Sequence, residues 1–443
     1  MRRRNFLAFA AASLSPLGRF QPGRMARPVP SPQQLAWHRD ELALFLHFGV
    51  NTFTDREWGD GTEGPAIFNP AGLDARQWAR AARDAGFKLL ILTAKHHDGF
   101  CLWPSKLTDH SVASSPWREG RGDVVREFTD ACRAEGLKAG LYLSPWDRHE
   151  ASYGDSPRYN DFYIGQLTEL LTQYGIISEV WFDGANGEGP NGKRQVYDWA
   201  RIHRTVRELQ PRALMFSDAG PDIRWIGNEK GTAGDPNWCT MDPAAVPYAG
   251  ADGPGIIDAL QHGDPTGSVW RPGEADVSIR PGWFYHPVED TQVRSPENLM
   301  ELYRSSVGRN AGLLLNVPPN REGLLSSADI ASVGGFARAL RDLHHSRRQS
   351  ELAGDRRSLV LPYRRPIDHV SIQERIETGQ HVARHAVDMW NGSRWVTLLE
   401  GTTVGYKRLH RFAPVITDRL RLRILDSLDR AVISDFACFS STE

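Results

Sequence analysis

A chain of 443 residues, 40% of them hydrophobic, is long enough for one large domain and a smaller one, each with its own core. Its formal net charge of −1, with no basic stripe carrying interleaved aromatics, argues against a nucleic-acid partner. No run behind the N-terminus approaches the ~20 apolar residues of a membrane span, and the four cysteines have neither CxxC spacing nor the density of a disulfide framework.

The chain begins MRRRNFLAFAAASLSPLG. Arg3 and Arg4, followed by Asn5, Phe6, Leu7 and a short apolar stretch, have the form of a twin-arginine export signal, so a periplasmic or secreted location is expected. The Pro-rich GRMARPVPSPQQ reads as a linker. Residues 1–34 are therefore expected to be signal and linker, with the folded part starting near Leu35.

A first apolar strand, LALFLHFGV, is followed by one repeated unit of polar-faced helix and short apolar strand. LDARQWARAARDAGF leads into KLLILTAKHHDGF, and DVVREFTDACRAEGL leads into KAGLYLSPW. FYIGQLTELLTQYGI leads into ISEVWFDGA, and VYDWARIHRTVRELQP leads into RALMFSDAGP. Three of these helices run into a glycine where a C-cap belongs. Residues 212–295 are irregular and rich in Gly, Pro and Trp, and GLLLNVPPN reads as a last strand. Alternating helix and strand implies a parallel sheet with helical crossovers.

The chemically capable residues fall at strand C-terminal ends: His47, His96 and His97, Tyr142 and Trp146, Asp183, and Asp218. No GxGxxG follows the first strand, and residues spread over five strand ends suit a closed ring better than an open sheet. The expected fold is an α/β (β/α)8 TIM-like barrel over residues 35–346, ending in a helix from Ser327 to Ser346. From about residue 350, short alternating runs with Asn-Gly and Gly-rich turns predict an all-β sandwich over 347–443.

Three readings fit His47, His96, His97, Asp98 and Asp183. A metal site lacks HxH or HExxH spacing, and adjacent histidines in an extended strand point apart. Satisfied core histidines explain one strand-end His more easily than three. A sugar pocket uses neutral imidazoles and a tyrosine for ring hydroxyls and tryptophan for the apolar face. Neither metal nor cofactor is expected. Glycoside hydrolysis needs two carboxyl groups; Asp183 supplies one, and spacing leaves Glu57, Glu229 and Glu274 open for the other.

The runs LHFGVNTF, TAKHHDGFCLWPS, GLYLSPWD, EVWFDGANG, RWIGNEKG, EADVSIRPGWFYH and GLLLNVPPNREGLL, in this order from about 35 to 345, resemble the α-L-fucosidases of glycoside hydrolase family 29. GPDIRWIGNEKG and EADVSIRPGWFYH resemble more closely the branch that prefers α-1,3- and α-1,4-linked fucose on branched glycans. The resemblance implies a retaining hydrolase with a fucosylated oligosaccharide or glycoconjugate as substrate. Asp183 matches the nucleophile, and Glu229 the acid/base, with Glu274 the second choice. His47, His96, His97, Tyr142 and Trp181 match the sugar pocket, and Glu57 and Trp58 a pair on the loop after the first strand. Glu274, if not the acid, is expected to bind the leaving group with Arg280 and Trp283. Trp225 or Trp238 is expected to give Glu229 apolar cover. A non-catalytic carbohydrate-binding protein, an exo-glycosidase for another sugar and a metal-dependent amidohydrolase are the competing readings.

Overall fold

The computed structural model describes residues 27–349 and 357–440. The expected export signal, with Arg3 and Arg4, lies outside the described residues, as does most of the linker's first half.

Eight strands follow in chain order: β1 (Leu42–Leu46), β2 (Leu89–Lys95), β3 (Lys138–Leu143), β4 (Glu179–Trp181), β5 (Leu214–Phe216), β6 (Arg224–Trp225), β7 (Gly273–Ser278) and β8 (Gly312–Asn316). Neighbours pair in parallel from β1 to β5 and from β6 through β8 back to β1. A parallel bridge between Phe216 and Ile223 closes the ring. β1 and β2 are buried along their whole length, as strands covered on both faces must be.

A helix α1 (Pro32–Asp40) precedes β1 and puts Trp37 under the barrel. The outer ring is α2 (Ala75–Asp84), α3 (Val124–Ala134), α4 (Ser156–Gln173), α5 (Trp199–Leu209), α6 (Pro254–His262), α7 (Pro296–Ser305) and α8 (Ser327–His345). The side chains of Asp74, Asp123, Asp198, Ser295 and Ser326 each accept the backbone N–H of the third helical residue, starting α2, α3, α5, α7 and α8. Each such cap stabilises its helix by about 1 kcal/mol. Gly86 and Gly136, past the ends of α2 and α3, take φ of +90° and +71°, which turns the chain into β2 and β3. Regularity fails where the sequence loses its period: residues 217–223 join β5 to β6 without a helix, and an antiparallel pair, Thr240–Met241 with Val269–Trp270, flanks α6.

Alternation sets the barrel interior in layers. Glu179 and Glu274 lie lowest, Trp181 and Asp276 above them, and Asp183 and Ser278 at the C-terminal rim. Phe45, Tyr142, Phe216 and Leu314 fill the space between. The chain then forms a C-terminal β-sandwich. Its strands Ser358–Glu374, Val382–Trp390, Trp395–Gly401, Arg408–Ser427 and Ile433–Phe439 pair antiparallel. Leu359, Val370, Val387, Leu420 and Phe436 make its core. Arg408 grips Asp235 of the barrel through both terminal nitrogens, and Lys407 pairs with Glu41. Among the described residues no helix is long and apolar enough to cross a membrane.

Candidate active site

At the C-terminal end of the barrel strands, where (β/α)8 enzymes build their chemistry, lies a cavity of about 380 Å³. It is lined by Phe45, His47, Glu57, Trp58, His96, His97, Tyr142, Trp181, Asp183, Ala185, Glu229, Asp276 and Trp283. A cavity of similar volume under α1, at the opposite end, is walled mainly by apolar groups and the strand starts.

Asp183 is half-buried one residue beyond Phe182, so it continues the inward face of β4 above Trp181. The Tyr142 hydroxyl donates to its Oδ2 at 3.0 Å and the Ala185 N–H to its Oδ1 at 2.7 Å. Burial pushes the Tyr142 phenol well above its ordinary range, so it keeps its proton and remains a donor. His97 Nε2 stands 3.8 Å from Oδ2, and among the described residues no lysine or arginine pairs with this carboxylate. Below it Trp181 stacks on Phe216, with ring centroids 4.1 Å apart and an interplanar angle of 9°, and forms a rigid apolar floor.

His96 and His97 do not diverge. β2 ends at Lys95, and the turn from His96 to Gly99 breaks the alternation that would have sent them to opposite faces. Their ring centroids are 4.1 Å apart and both line the cavity. Burial lowers the pKa of all three pocket histidines, that of His47 to about 4, so they are neutral near pH 7. His97 Nδ1 sits 2.7 Å from Ser144 Oγ, whose only proton goes to the Trp146 carbonyl at 2.6 Å. The His97 proton is therefore on Nδ1, and Nε2 is an acceptor.

Glu229, on the loop after β6, stands open at the rim. The cavity walls still raise its carboxyl above the usual glutamate range by desolvation; the Trp283 indole N–H, at 3.3 Å, offsets this, and the charges of Asp183 and Glu57 add to it. Trp283 is thus a tryptophan that hydrogen-bonds to Glu229. Trp225 donates to Asp276 at 2.9 Å and lines the adjoining cavity with Glu229, while Trp238 is buried away from both. Glu57 accepts the Trp283 and Phe284 N–H groups and contacts His286 Nε2 at 2.6 Å, tying the loop after β1 to the loop after β7. Trp58, 56% exposed, stands edge-on over His97 and Trp146.

A second cavity of about 280 Å³ shares Trp181, Asp183, Ala185, Glu229 and Asp276 with the first and extends to Asp218, Trp225, Gly250 and Asp252. Burial raises the Asp218 carboxyl to about 6 and, with the charge of Glu229, lifts Asp276 well above the carboxylate range. Gly184 has no substitute here, because a Cβ would come within 2.2 Å of Asp218 Oδ2. No motif singles out Asp276 in the sequence, although its place two residues after Glu274 on an inward-facing strand is the available signal.

Two expected residues do not reach the cavity. Glu274 lies four residues below Ser278 on β7, about 13 Å down the strand, beneath Trp181, whose indole N–H it accepts at 3.1 Å. Burial raises it to about 7 beside Glu179. Neither an acid role nor a leaving-group contact is open to it through the tryptophan floor. Arg280 turns outward and is fully buried: Nε donates to both Asp329 oxygens at 3.1 Å, Nη1 to Asp290 at 3.0 Å and Nη2 to Ser326 Oγ at 2.9 Å. It staples the loop after β7 to the start of α8. Arg280→Ala is expected to lower unfolding free energy by about 3–5 kcal/mol, since it strands the buried Asp329, while KM of the folded enzyme stays within about twofold. Denaturant titration and steady-state kinetics check this, and a KM rise without destabilisation contradicts it.

The sequence profile described as Alpha-L-fucosidase matches residues 34–340. Alpha-L-fucosidase 1 of Arabidopsis thaliana is 44% identical over 437 residues, covering 90% of this chain and 85% of that protein. A crystal structure of a glycoside hydrolase 29 family member from an unknown rumen bacterium has a TM-score of 0.87 at 38% identity, covering 94% of this chain and 78% of that one. A family 29 fucosidase of Ruminococcus gnavus, in complex with fucose, has a TM-score of 0.83 at 32% identity, covering 94% and 96%. With the family profile matching most of the barrel and relatives of this identity covering nearly the whole chain, the protein belongs to the α-L-fucosidases of glycoside hydrolase family 29.

Proposed function

We propose that the protein is an exo-acting, retaining α-L-fucosidase that removes α-1,3- or α-1,4-linked L-fucose from branched glycans, with Asp183 as nucleophile and Glu229 as acid/base. One arrangement carries the reading. Two carboxyl groups in unlike settings, one held by hydrogen-bond donors and one raised toward its protonated form, border both of two adjoining cavities. The first cavity is closed below by Trp181 and Phe45, which suits a terminal sugar. Fucose in the Ruminococcus gnavus relative supports the choice of sugar.

In the first step an Asp183 oxygen bonds to C1 and the glycosidic C1–O bond breaks. Glu229 gives its proton to the departing oxygen. The Glu229 carboxylate then takes a proton from water, whose oxygen bonds to C1 as the C1–Asp183 bond breaks. Two inversions give net retention. Neutral His47 and His97, each with a free acceptor nitrogen, orient ring hydroxyls, and the Tyr142 O–H holds the nucleophile in line. The second cavity, beyond Glu229, is where a branched leaving group has room.

Incubation with a Lewis-type trisaccharide and, separately, with a linear 2′-fucosylated one tests the reading. Free fucose is expected from the branched sugar only. Equal release from both removes the linkage preference, and release from neither removes the activity.

A further inference from the structure

His47 follows β1 into the cavity, and its ring chemistry is decided by a residue on the neighbouring strand β8. Asn316 Oδ1 lies 2.9 Å from His47 Nδ1 and also accepts the His47 backbone N–H at 3.3 Å. On its other side Asn316 Nδ2 donates to the Trp283 carbonyl at 2.8 Å and to Ser278 Oγ at 2.9 Å. The Ser278 proton is itself committed to the Gly282 carbonyl at 2.6 Å.

The amide has no second orientation. Turned over, it would set its oxygen against a carbonyl and its NH₂ against a backbone N–H, in a place where Asn316 is fully buried. With Oδ1 facing the ring, His47 Nδ1 must carry the proton. Burial keeps the ring neutral, with its pKa near 4, so Nε2 has only a lone pair. Among the described residues Nε2 has no hydrogen-bond partner, and the ring lines the sugar cavity.

We propose that Asn316 is a positioning residue that locks His47 in the Nδ1–H tautomer and thereby makes Nε2 an obligatory acceptor for an O–H of the bound sugar. The proposal rests on the sugar-pocket reading for its consequence but not for its chemistry. A sugar carrying an ether or a sulfate ester at that hydroxyl offers no donor and is refused. The polarity originates in the loop after β7, whose Trp283 also touches Glu229, so one loop sets both the acceptor and the acid's surroundings.

Neutron diffraction on the deuterium-exchanged enzyme near pH 7 reads the tautomer directly. Deuterium on Nδ1 alone is expected; deuterium on Nε2 overturns the proposal. In Asn316→Asp the carboxylate faces the Trp283 carbonyl without a proton to donate and favours a doubly protonated His47. KM for 4-nitrophenyl α-L-fucoside is expected to rise about 10-fold near pH 6 and to recover as pH increases, with kcat changed less. A uniform, pH-independent loss marks a merely structural role and overturns the proposal. If the variant does not fold, the neutron result on the unaltered enzyme still decides. An enzyme that carries deuterium on Nδ1 but releases no fucose supports the tautomer assignment while refuting the activity.

Discussion

Asp183→Ala is expected to lower fucose release by about 10⁴-fold or more, because on the proposed mechanism Asp183 forms the covalent bond to C1, and Asp276, the neighbouring carboxyl in the cavity, is held toward its protonated form by burial. The fold should survive. Asp183 is 27% exposed and among the described residues pairs with no lysine or arginine, so its removal leaves one hydroxyl and one backbone N–H without their acceptor. That costs about 1–3 kcal/mol and lowers the melting temperature by several degrees. Added azide can enter the vacated space and attack C1 directly. The expected product from an α-fucoside is the β-fucosyl azide, one inversion instead of two. Chiral analysis of that product reads the role, and a variant that keeps a tenth of its turnover would end Asp183's candidacy.

Glu229→Ala should act differently on different leaving groups. A sugar alcohol departs slowly without a proton, so loss on branched glycans is expected at about 10²–10⁴-fold. A 4-nitrophenolate needs little help, and the first step on that substrate should be almost preserved. The second step then lacks its base, the fucosyl-enzyme accumulates, and azide releases it as the α-fucosyl azide with configuration retained. The two variants are therefore told apart by opposite anomers. The pH profile gives a third reading. As the proposed acid Glu229 acts while protonated, and its carboxyl is raised, so kcat/KM of the unaltered enzyme is expected to fall as pH rises through that raised value. The alkaline limb should vanish in Glu229→Ala with the activated substrate. Azide rescue of Glu274→Ala instead would contradict the position of Glu274 under Trp181.

The barrel is legible in the sequence because its signals are local. Capping aspartates and serines start the helices, glycines end them, and each following strand is too short and too apolar for anything but a covered sheet. His47, Tyr142 and Asp183 could be placed for the same reason, since each stands at or just past the end of such a strand. The sandwich announced itself by alternation and Gly-rich turns.

What could not be read were directions that depend on where a strand stops or on a partner far along the chain. His96 and His97 converge because β2 ends one residue before them, so the two-residue period no longer applies. Glu274 and Asp276 differ by a single layer, yet Trp181 from β4 separates the first from the cavity and leaves the second in its lining. Arg280 looked like a glycan ligand until Asp290 and Asp329, contributed by later segments, took its guanidinium. Asn316 lies in the GLLLNVPPN run, which by itself gives it no role, and only the parallel pairing of β8 with β1 brings its amide against His47. Periodicity is a property of neighbours in the chain and survives in one dimension; the height of a side chain in a closed ring, and the group that answers its charge, are set by strand register and by residues hundreds of positions away.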